Sequence, residues 1–313
     1  MDLGLVFAAL GIGIIVGLTG MGGGALMTPT LVLFFGVPPL TAVSSDLVTS
    51  AVMKPVGSLV HIRYGSVHWK IVLWLMIGSV PTAFAGSLII SAVGPLAGVQ
   101  AFVKTTLGYV LLLAAVLIFV RAYIGMRNRA RERRDGTTTK RSNSAEITVR
   151  IVPTVIVGAI GGLMVGLTSV GSGSLIIIAL MLLYPLLGMN KLVGTDLVQA
   201  VPLVIAAALG HLLFGAVDWA VAIPLMIGSI PGAWIGAQFS SRIPGGYVRR
   251  ALAVVLLASG LKMLNVDNVV VLAAAASAVV LGTFGWMALR RSHGLEITRR
   301  RERRTSPPPR TRS

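Results

Sequence analysis

Two glycine-rich stretches in this sequence have the composition of an anion-binding site. Residues 17–24 read GLTGMGGG, and residues 166–173, which lie 149 positions later, read GLTSVGSG. Glycines expose backbone N–H groups, and a helix that begins after such a turn adds the positive end of its dipole. Each stretch interrupts an apolar segment, where freed backbone groups are costly unless they are bonded. We interpret the two stretches as halves of one anion site; tight helix packing through small residues is the alternative.

Two carboxylates lie at matched positions within apolar segments, Asp46 in the first half and Asp196 in the second. An ionisable residue inside a membrane is expensive to bury and is therefore a candidate for function. Each Asp either carries a coupling proton or cation, or braces its glycine loop by accepting hydrogen bonds from the loop N–H groups. Lys54, whose counterpart in the second half is Val204, is expected to pair with Asp46 or with a bound anion.

Hydroxyl and amide side chains share a helix face with the two aspartates and complete the predicted site. Ordinary bonding of these hydroxyl groups to backbone carbonyls is the alternative. The predicted substrate-binding residues are Gly22, Gly23, Gly24, Ser45, Thr49, Gly171, Ser172, Gly173, Ser174, Thr195 and Gln199, and the predicted coupling or bracing residues are Asp46, Asp196 and Lys54. We predict no catalytic residue, cofactor or metal ligand, and the sequence contains no cysteine.

The composition places these residues in a membrane protein. Hydrophobic residues make up 55% of the 313 residues and charged residues only 12%, and the mean hydropathy is +0.87. A soluble core of this length could not bury so much apolar surface. The net charge of +17 does not indicate nucleic acid, because most of it lies in two hydrophilic stretches: 124–150 has eight basic and three acidic residues, and 290–313 has nine and two. Such stretches are typical of cytoplasmic loops, and anionic lipid head groups are their expected partners.

The apolar segments predict the order of the helices. Five segments precede the basic loop, five follow it, and one more comes after them. The second segment of each set, at about 25–36 and 174–187, is too short for a hydrocarbon core about 30 Å thick. We therefore expect each short segment to form a hairpin with the preceding one, with the glycine stretch at its tip. The repeat continues at an offset of 150, where a Gly-Ser-x-Pro motif occurs at residues 78–81 and 228–231.

Each half has an odd number of crossings, so the second half is expected to be inverted relative to the first. The predicted fold is an all-α polytopic membrane protein with two inverted repeats of about five helical segments each, plus one extra C-terminal transmembrane helix. The charge pattern predicts an N-terminus outside the cell and a C-terminus in the cytoplasm. The predicted units are the first repeat at 1–123, the basic loop at 124–150, the second repeat at 151–266, the extra helix at 267–289 and a disordered basic tail at 290–313.

Several motifs resemble those of the sulfite exporter TauE/SafE family of membrane transporters. They are the two glycine stretches, the Asp-Leu segment at Asp46 and the G-S-x-P-G-A-x-x-G run at residues 228–236, and the resemblance covers about residues 3–265. The resemblance implies transport of small anions, typically sulfur-containing ones such as sulfite or organosulfonates.

The sequence and the resemblance together predict a secondary transporter in the cell membrane. It would export a small anion by alternating access, with a proton or sodium as the coupling ion. A passive anion channel is the alternative. An intramembrane serine hydrolase built on residues 171–174 and His211 is less favoured, because a hydrolase has no need of an inverted second copy without the serines.

Overall fold

The structure is a computed structural model that describes residues 2–19, 23–93, 96–134, 148–173, 175–239 and 245–292. These residues form helices joined by short loops, and they include no strand beyond an isolated bridge between Gly171 and Gly173. The helices are α1 Leu3–Thr19, α2 Gly24–Phe34, α3 Pro39–Arg63, α4 Trp69–Ala92, α5 Leu96–Arg134, α6 Ile151–Thr168, α7 Leu175–Leu183, α8 Met189–Phe214, α9 Trp219–Phe239, α10 Gly245–Met263 and α11 Asn268–Ser292. The predicted all-α class is confirmed.

Five helical segments in the described part of the chain are long and apolar enough to cross a membrane. They are Trp69–Ala92, Ala97–Arg121, Ile151–Thr168, Asn190–Phe214 and Trp219–Gly236. By contrast, α2 has 11 residues and α7 has 9, which correspond to about 17 and about 14 Å at 1.5 Å per residue. Each is about half the thickness of a hydrocarbon core. The second segment of each half is therefore a short helix that follows a glycine stretch, in agreement with the short apolar segment in the sequence.

Helix α5 continues to Arg134, beyond the predicted segment end at residue 123. The first part of the stretch 124–150 is thus helical, because its arginines are good helix formers and extend a helix that has already begun. Residues 135–147 and 293–313 lie outside the described residues, so the predicted loop centre and tail stay predictions. Helix α11 occupies nearly the range predicted for the extra helix.

The two halves pack on each other reciprocally. Helix α1 packs against α9, and its counterpart α6 packs against α4, which is the counterpart of α9. Helix α3 also packs against its own counterpart α8, and α5 packs against α10. This set of pairs is unchanged when the halves are exchanged. The 150-residue sequence repeat is therefore also a repeat of contacts.

Glycines make these reciprocal contacts close. A Cβ atom added to Gly162 of α6 would lie 2.3 Å from the carbonyl oxygen of Ser79, and one added to Gly13 of α1 would lie 2.6 Å from that of Ser229. Both contacts join equivalent positions of the two halves. Small residues let helix backbones approach closely in membranes. The repeated Gly-Ser-x-Pro motif, which contains both serines, therefore belongs to a helix-packing surface.

Candidate functional site

The two glycine-rich stretches meet inside the protein. A Cβ atom at Gly24, the first residue of α2, would lie only 2.0 Å from the carbonyl oxygen of Ser169 and 2.7 Å from its Oγ. Ser169 is the first residue after α6, so the start of the short helix in one half touches the end of a long helix in the other. Both residues are buried. No side chain fits at position 24, and this close approach explains the glycine there.

The second stretch forms a defined turn before α7. Ser169 has φ 60°, Gly171 has φ 144° and Gly173 has φ 91°. These conformations are unfavourable for residues with a Cβ, which explains the two glycines. The backbone N–H of Leu175 donates to the Gly171 carbonyl at 3.1 Å. Among the predicted site residues, Gly22 and Ser174 lie outside the described residues.

Asp46 is buried and is held by two hydroxyl groups. Its Oδ2 accepts hydrogen bonds from Thr28 Oγ1 at 3.0 Å and from Ser169 Oγ at 2.7 Å, and only 1% of the residue is exposed. Thr28 lies on α2 and Ser169 in the second glycine stretch, so the carboxylate joins α3 to both tips. This arrangement agrees with a bracing role, but these donors are side-chain hydroxyls whereas the sequence suggested backbone N–H groups.

Asp196 occupies the matching position on α8 with fewer partners. Its Oδ1 accepts from Gln199 Nε2 at 3.2 Å, and Gln199 Oε1 accepts from Ser79 Oγ at 3.2 Å. The backbone N–H of Gly173 is also close to the carboxylate. By hydrogen-bond geometry, however, Oδ2 has no partner among the described residues, although it is shielded from solvent. The two matched carboxylates therefore lie in different environments.

Lys54 lies near both carboxylates. Its Nζ donates to Ser172 Oγ at 2.6 Å, and the residue is 6% exposed. Both Asp196 and Asp46 are within electrostatic range of the ammonium group, and Asp196 interacts with it more strongly. Arg121 on α5 also lies within electrostatic range of Asp196. The predicted partner was Asp46 or an anion, whereas the structure gives Ser172 as the direct hydrogen-bond partner.

Three predicted hydroxyl groups bond to backbone instead. Ser45 Oγ donates to the Asp218 carbonyl at 3.3 Å and accepts from the Asp218 N–H at 3.2 Å. Thr195 Oγ1, at the equivalent position, accepts from the His68 N–H at 3.0 Å. Thr49 Oγ1 donates to the Ser45 carbonyl at 2.9 Å. The first two hold the loops before α9 and α4, so we leave all three out of the site that we propose below.

Sequence reasoning missed a fully buried link through His211. Its Nε2 lies 2.7 Å from the Gly166 carbonyl and its Nδ1 lies 2.8 Å from Ser44 Oγ. Because a carbonyl oxygen only accepts, Nε2 carries a proton. The ring thus joins α8 to α6 and to α3 of the other half. His61 occupies the equivalent position 150 residues earlier, but its Nδ1 bonds to nearby Ser66 at 2.9 Å, so the repeat does not indicate the partners of His211.

Comparison with known proteins identifies the family. The sequence profile of the sulfite exporter TauE/SafE family matches residues 5–263. The chain belongs to this family.

Relatives within the family carry transporter names. The probable membrane transporter protein YjnA of Bacillus subtilis (strain 168) is 37% identical over 271 residues, which cover 84% of this chain and 100% of that protein. YdhB and YunE, two further probable membrane transporter proteins of the same organism, are 27% and 28% identical over 260 and 253 residues. These alignments cover 81% and 77% of this chain and 96% and 86% of the relatives. No solved structure gives a significant match. Family membership and the apolar helices together indicate a multi-pass membrane protein of a transporter family.

Proposed function

We propose that this protein is a secondary transporter that exports a small anion, such as sulfite or an organosulfonate, by alternating access between two inverted repeats. The observation that carries the proposal is the buried cluster in which Lys54 of the first half bonds to Ser172 in the glycine stretch of the second half. A buried cation, a hydroxyl group and a glycine-rich backbone are the donors that an anion needs when it leaves water.

The chemistry of the cluster favours an anion over a cation. The Lys54 ammonium group and the Ser172 hydroxyl can both donate to oxygen atoms of a substrate. The backbone N–H of Gly173 adjoins the same turn. A sulfite or sulfonate group presents three oxygens around one sulfur atom, so several donors can bind it at once. The same donors suit other tetrahedral or pyramidal oxyanions, and the family supports the sulfur-containing ones.

The position of the cluster favours alternating access. Lys54 lies on α3 and Ser172 follows α6, so the two donors belong to different halves of the chain. Movement of one half against the other would therefore change the site, as in transporters built from repeats. We propose that the N-terminus lies outside and the C-terminus in the cytoplasm, with the basic stretches 124–150 and 290–313 against anionic lipid head groups. A proton or sodium ion is the proposed coupling ion, and its direction relative to the anion decides whether its gradient assists or opposes export.

Transport by purified protein in liposomes tests the proposal. We expect saturable flux of at least one of sulfite, thiosulfate and simple sulfonates, and accumulation against the anion gradient when a proton or sodium gradient is imposed. Lys54→Met should reduce this flux at least tenfold. Lys104→Met is the matched control, because Lys104 bonds to Asn265 in a partly exposed contact away from the cluster. Equal flux by both variants, or no flux of any anion, would contradict the proposal.

The same assays separate the alternatives. A passive channel would equilibrate the anion but would not accumulate it against a gradient. For a serine hydrolase, Ser172 would need a base; His211 bonds to Ser44 and Gly166 instead, so the histidine of the hydrolase hypothesis is excluded and Lys54 is the group that would have to act as the base. Labelling of Ser172 by a fluorophosphonate would favour the hydrolase.

A further inference from the structure

We propose that Asp196, and not its counterpart Asp46, binds a proton that travels with the anion. This inference rests on the proposed anion transport and goes beyond it by naming the coupling ion and the group that carries it. It follows from the unequal surroundings of two carboxylates that the sequence repeat makes equivalent.

Asp46 is committed to structure. Its Oδ2 accepts from both Thr28 and Ser169, and each donor lies on a different glycine-tipped hairpin. Hydroxyl hydrogen bonds favour the ionised form of a carboxylate, because an ionised oxygen is the stronger acceptor. A proton on Oδ2 would compete with these two donors. Asp46 therefore serves as a fixed acceptor that holds the tips together.

Asp196 lacks both of these donors for a reason visible in the sequence. At the 149-residue offset that aligns the glycine stretches, Thr28 corresponds to Ile177 and Ser169 corresponds to Gly20. Ile177 is buried, with 1% exposed, and neither counterpart has a hydroxyl group. At these two positions the second half has no hydroxyl that could hold Asp196 ionised. Among the described residues, Oδ2 of Asp196 accordingly has no hydrogen-bond partner.

The bare oxygen lies where an anion would bind. Ser172 bonds to Lys54, and the next residue, Gly173, brings its N–H close to the Asp196 carboxylate. An anion that bonds to Lys54 and Ser172 therefore comes close to Asp196. An ionised Asp196 would repel it, whereas a protonated Oδ2 would donate a hydrogen bond to it. The proton enters from cytoplasmic water with the anion and returns to water outside, so export is driven by the outward gradient of the anion itself, and no covalent bond to carbon or sulfur changes.

The neighbouring charges favour a proton over sodium. The Lys54 ammonium group from α3 and Arg121 from α5 both lie within electrostatic range of Asp196, and these cations would repel a metal ion. Two histidines also lie near Asp196 or along α8, and histidine is the side chain whose ordinary pKa is closest to neutral pH. His68 contacts Thr195, the residue before Asp196, through its backbone N–H, and His211 lies further along α8 with both ring nitrogens bonded. Their titration must be separated from that of Asp196.

Calorimetric binding of thiosulfate and methanesulfonate to the full-length protein tests the inference. Both probes stay ionised from mildly acidic to mildly alkaline pH, so any proton taken up belongs to the protein. Titrations in two buffers of different ionisation enthalpy count that proton. For the wild type we expect uptake that approaches one proton per anion. The dissociation constant should rise by about tenfold per pH unit on the alkaline side, as linkage requires.

Asparagine variants assign the proton to a residue. Asp196→Asn keeps the shape and an N–H donor, so we expect it to bind the anion with little proton uptake and with less than about a twofold change across the same pH range. Asp46→Asn should keep the pH dependence of the dissociation constant, although it holds the two glycine stretches together less firmly. Asp267→Asn is the matched control. Asp267 is exposed and caps α11, and asparagine can make the same cap, so this variant should bind the anion as the wild type does. His68→Gln should show the same change of the dissociation constant with pH as the wild type.

A second variant gives Asp196 the donor that Asp46 has. Ile177→Thr places a hydroxyl at the position equivalent to Thr28, so it should lower proton uptake while Asp196 itself is unchanged. The inference is overturned if the wild type binds either anion without proton uptake, if Asp196→Asn keeps the slope, or if binding requires sodium. Absence of binding by every anion would instead overturn the proposed function, and this inference with it.

Discussion

Replacement of Gly162 by alanine should separate the packing role of the glycines from any role in substrate binding. Gly162 lies on α6, where it faces Ser79 and Thr82 of α4, and it is linked to the anion cluster only indirectly, through the bond of Ser79 to Gln199. The added Cβ would lie 2.3 Å from the Ser79 carbonyl oxygen, 2.5 Å from Thr82 Oγ1 and 2.6 Å from the Ser79 Cα. Ordinary contact begins at 3.4 Å, so α4 and α6 would have to separate by about 1 Å. Two of these three atoms are backbone and cannot rotate away.

The free-energy change combines two opposing effects. Alanine gains about 1 kcal/mol over glycine inside a helix, while overpacking of a close contact costs about 1–3 kcal/mol. We place Gly162→Ala near the upper end of that cost, for a net loss of about 2 kcal/mol. Gly11→Ala on α1 is the matched control, because no described atom beyond the adjacent part of its own helix lies within 4 Å of the added Cβ, and it should gain up to about 1 kcal/mol. Gly13→Ala, whose nearest contact is 2.6 Å, should fall between them.

Size-exclusion chromatography of the three detergent-solubilised variants after heating gives their unfolding temperatures and hence their order of stability. We expect Gly162→Ala to unfold at the lowest temperature, Gly13→Ala at an intermediate one and Gly11→Ala at or above the wild type. Anion affinity of the folded Gly162→Ala protein should stay close to that of the wild type. If Gly162→Ala and Gly13→Ala both unfolded at the same temperature as Gly11→Ala, the reciprocal close packing of α4 on α6 and of α1 on α9 would be refuted.

Three further substitutions test individual hydrogen bonds of the fold. Ser169→Ala leaves Thr28 as the described donor to Asp46 and should destabilise the protein by about 1–3 kcal/mol. The control in the same unfolding measurement is Ser91→Ala, which removes an exposed hydroxyl group near the end of α4. His211→Phe removes the donor to the Gly166 carbonyl and should cost a similar amount, whereas a variant as stable as the wild type would exclude the link. Partial burial, together with nearby lysines, lowers the pKa of His68, whose neutral ring accepts from the Ile71 N–H at the start of α4. The stability from this cap is therefore present above the unfolded pKa of His and is lost as the pH falls through the lower folded value. Asparagine can cap the helix without titrating, so the unfolding temperature of His68→Asn should vary less with pH than that of the wild type.

The sequence predicted the elements of the site better than their partners. The short lengths of α2 and α7 follow from the spacing of glycines and apolar residues, so they were readable in advance. Asp46 and Asp196 were recognisable because a carboxylate in an apolar segment needs a reason to be there. The bond from Ser169 to Asp46 was not predictable, since it joins residues 123 positions apart. Periodicity reports which face a residue occupies but not which distant side chain that face meets.

The hydroxyl groups show the same limit. Ser45 and Thr195 share a helix face with the aspartates, which is why the pattern placed them in the site. In the folded chain they hold the loops at Asp218 and His68 instead. A side chain one position along a helix from a site residue points about 100° away from it. Only the neighbouring helix decides whether that direction leads to the site or to a loop.

The sequence by itself determined the all-α membrane class, the duplicated halves, the paired glycine stretches and the family. These properties depend on local composition and on the order of residues along the chain, which bilayer thickness and backbone hydrogen bonding constrain directly. Only the tertiary structure decided that the tips touch at Gly24 and Ser169, that Lys54 bonds to Ser172, and that Asp46 has two hydroxyl donors while one oxygen of Asp196 has no partner among the residues that the structure describes. Those facts depend on packing between helices from different halves, because a hydrogen bond is made or lost within a few tenths of an ångström.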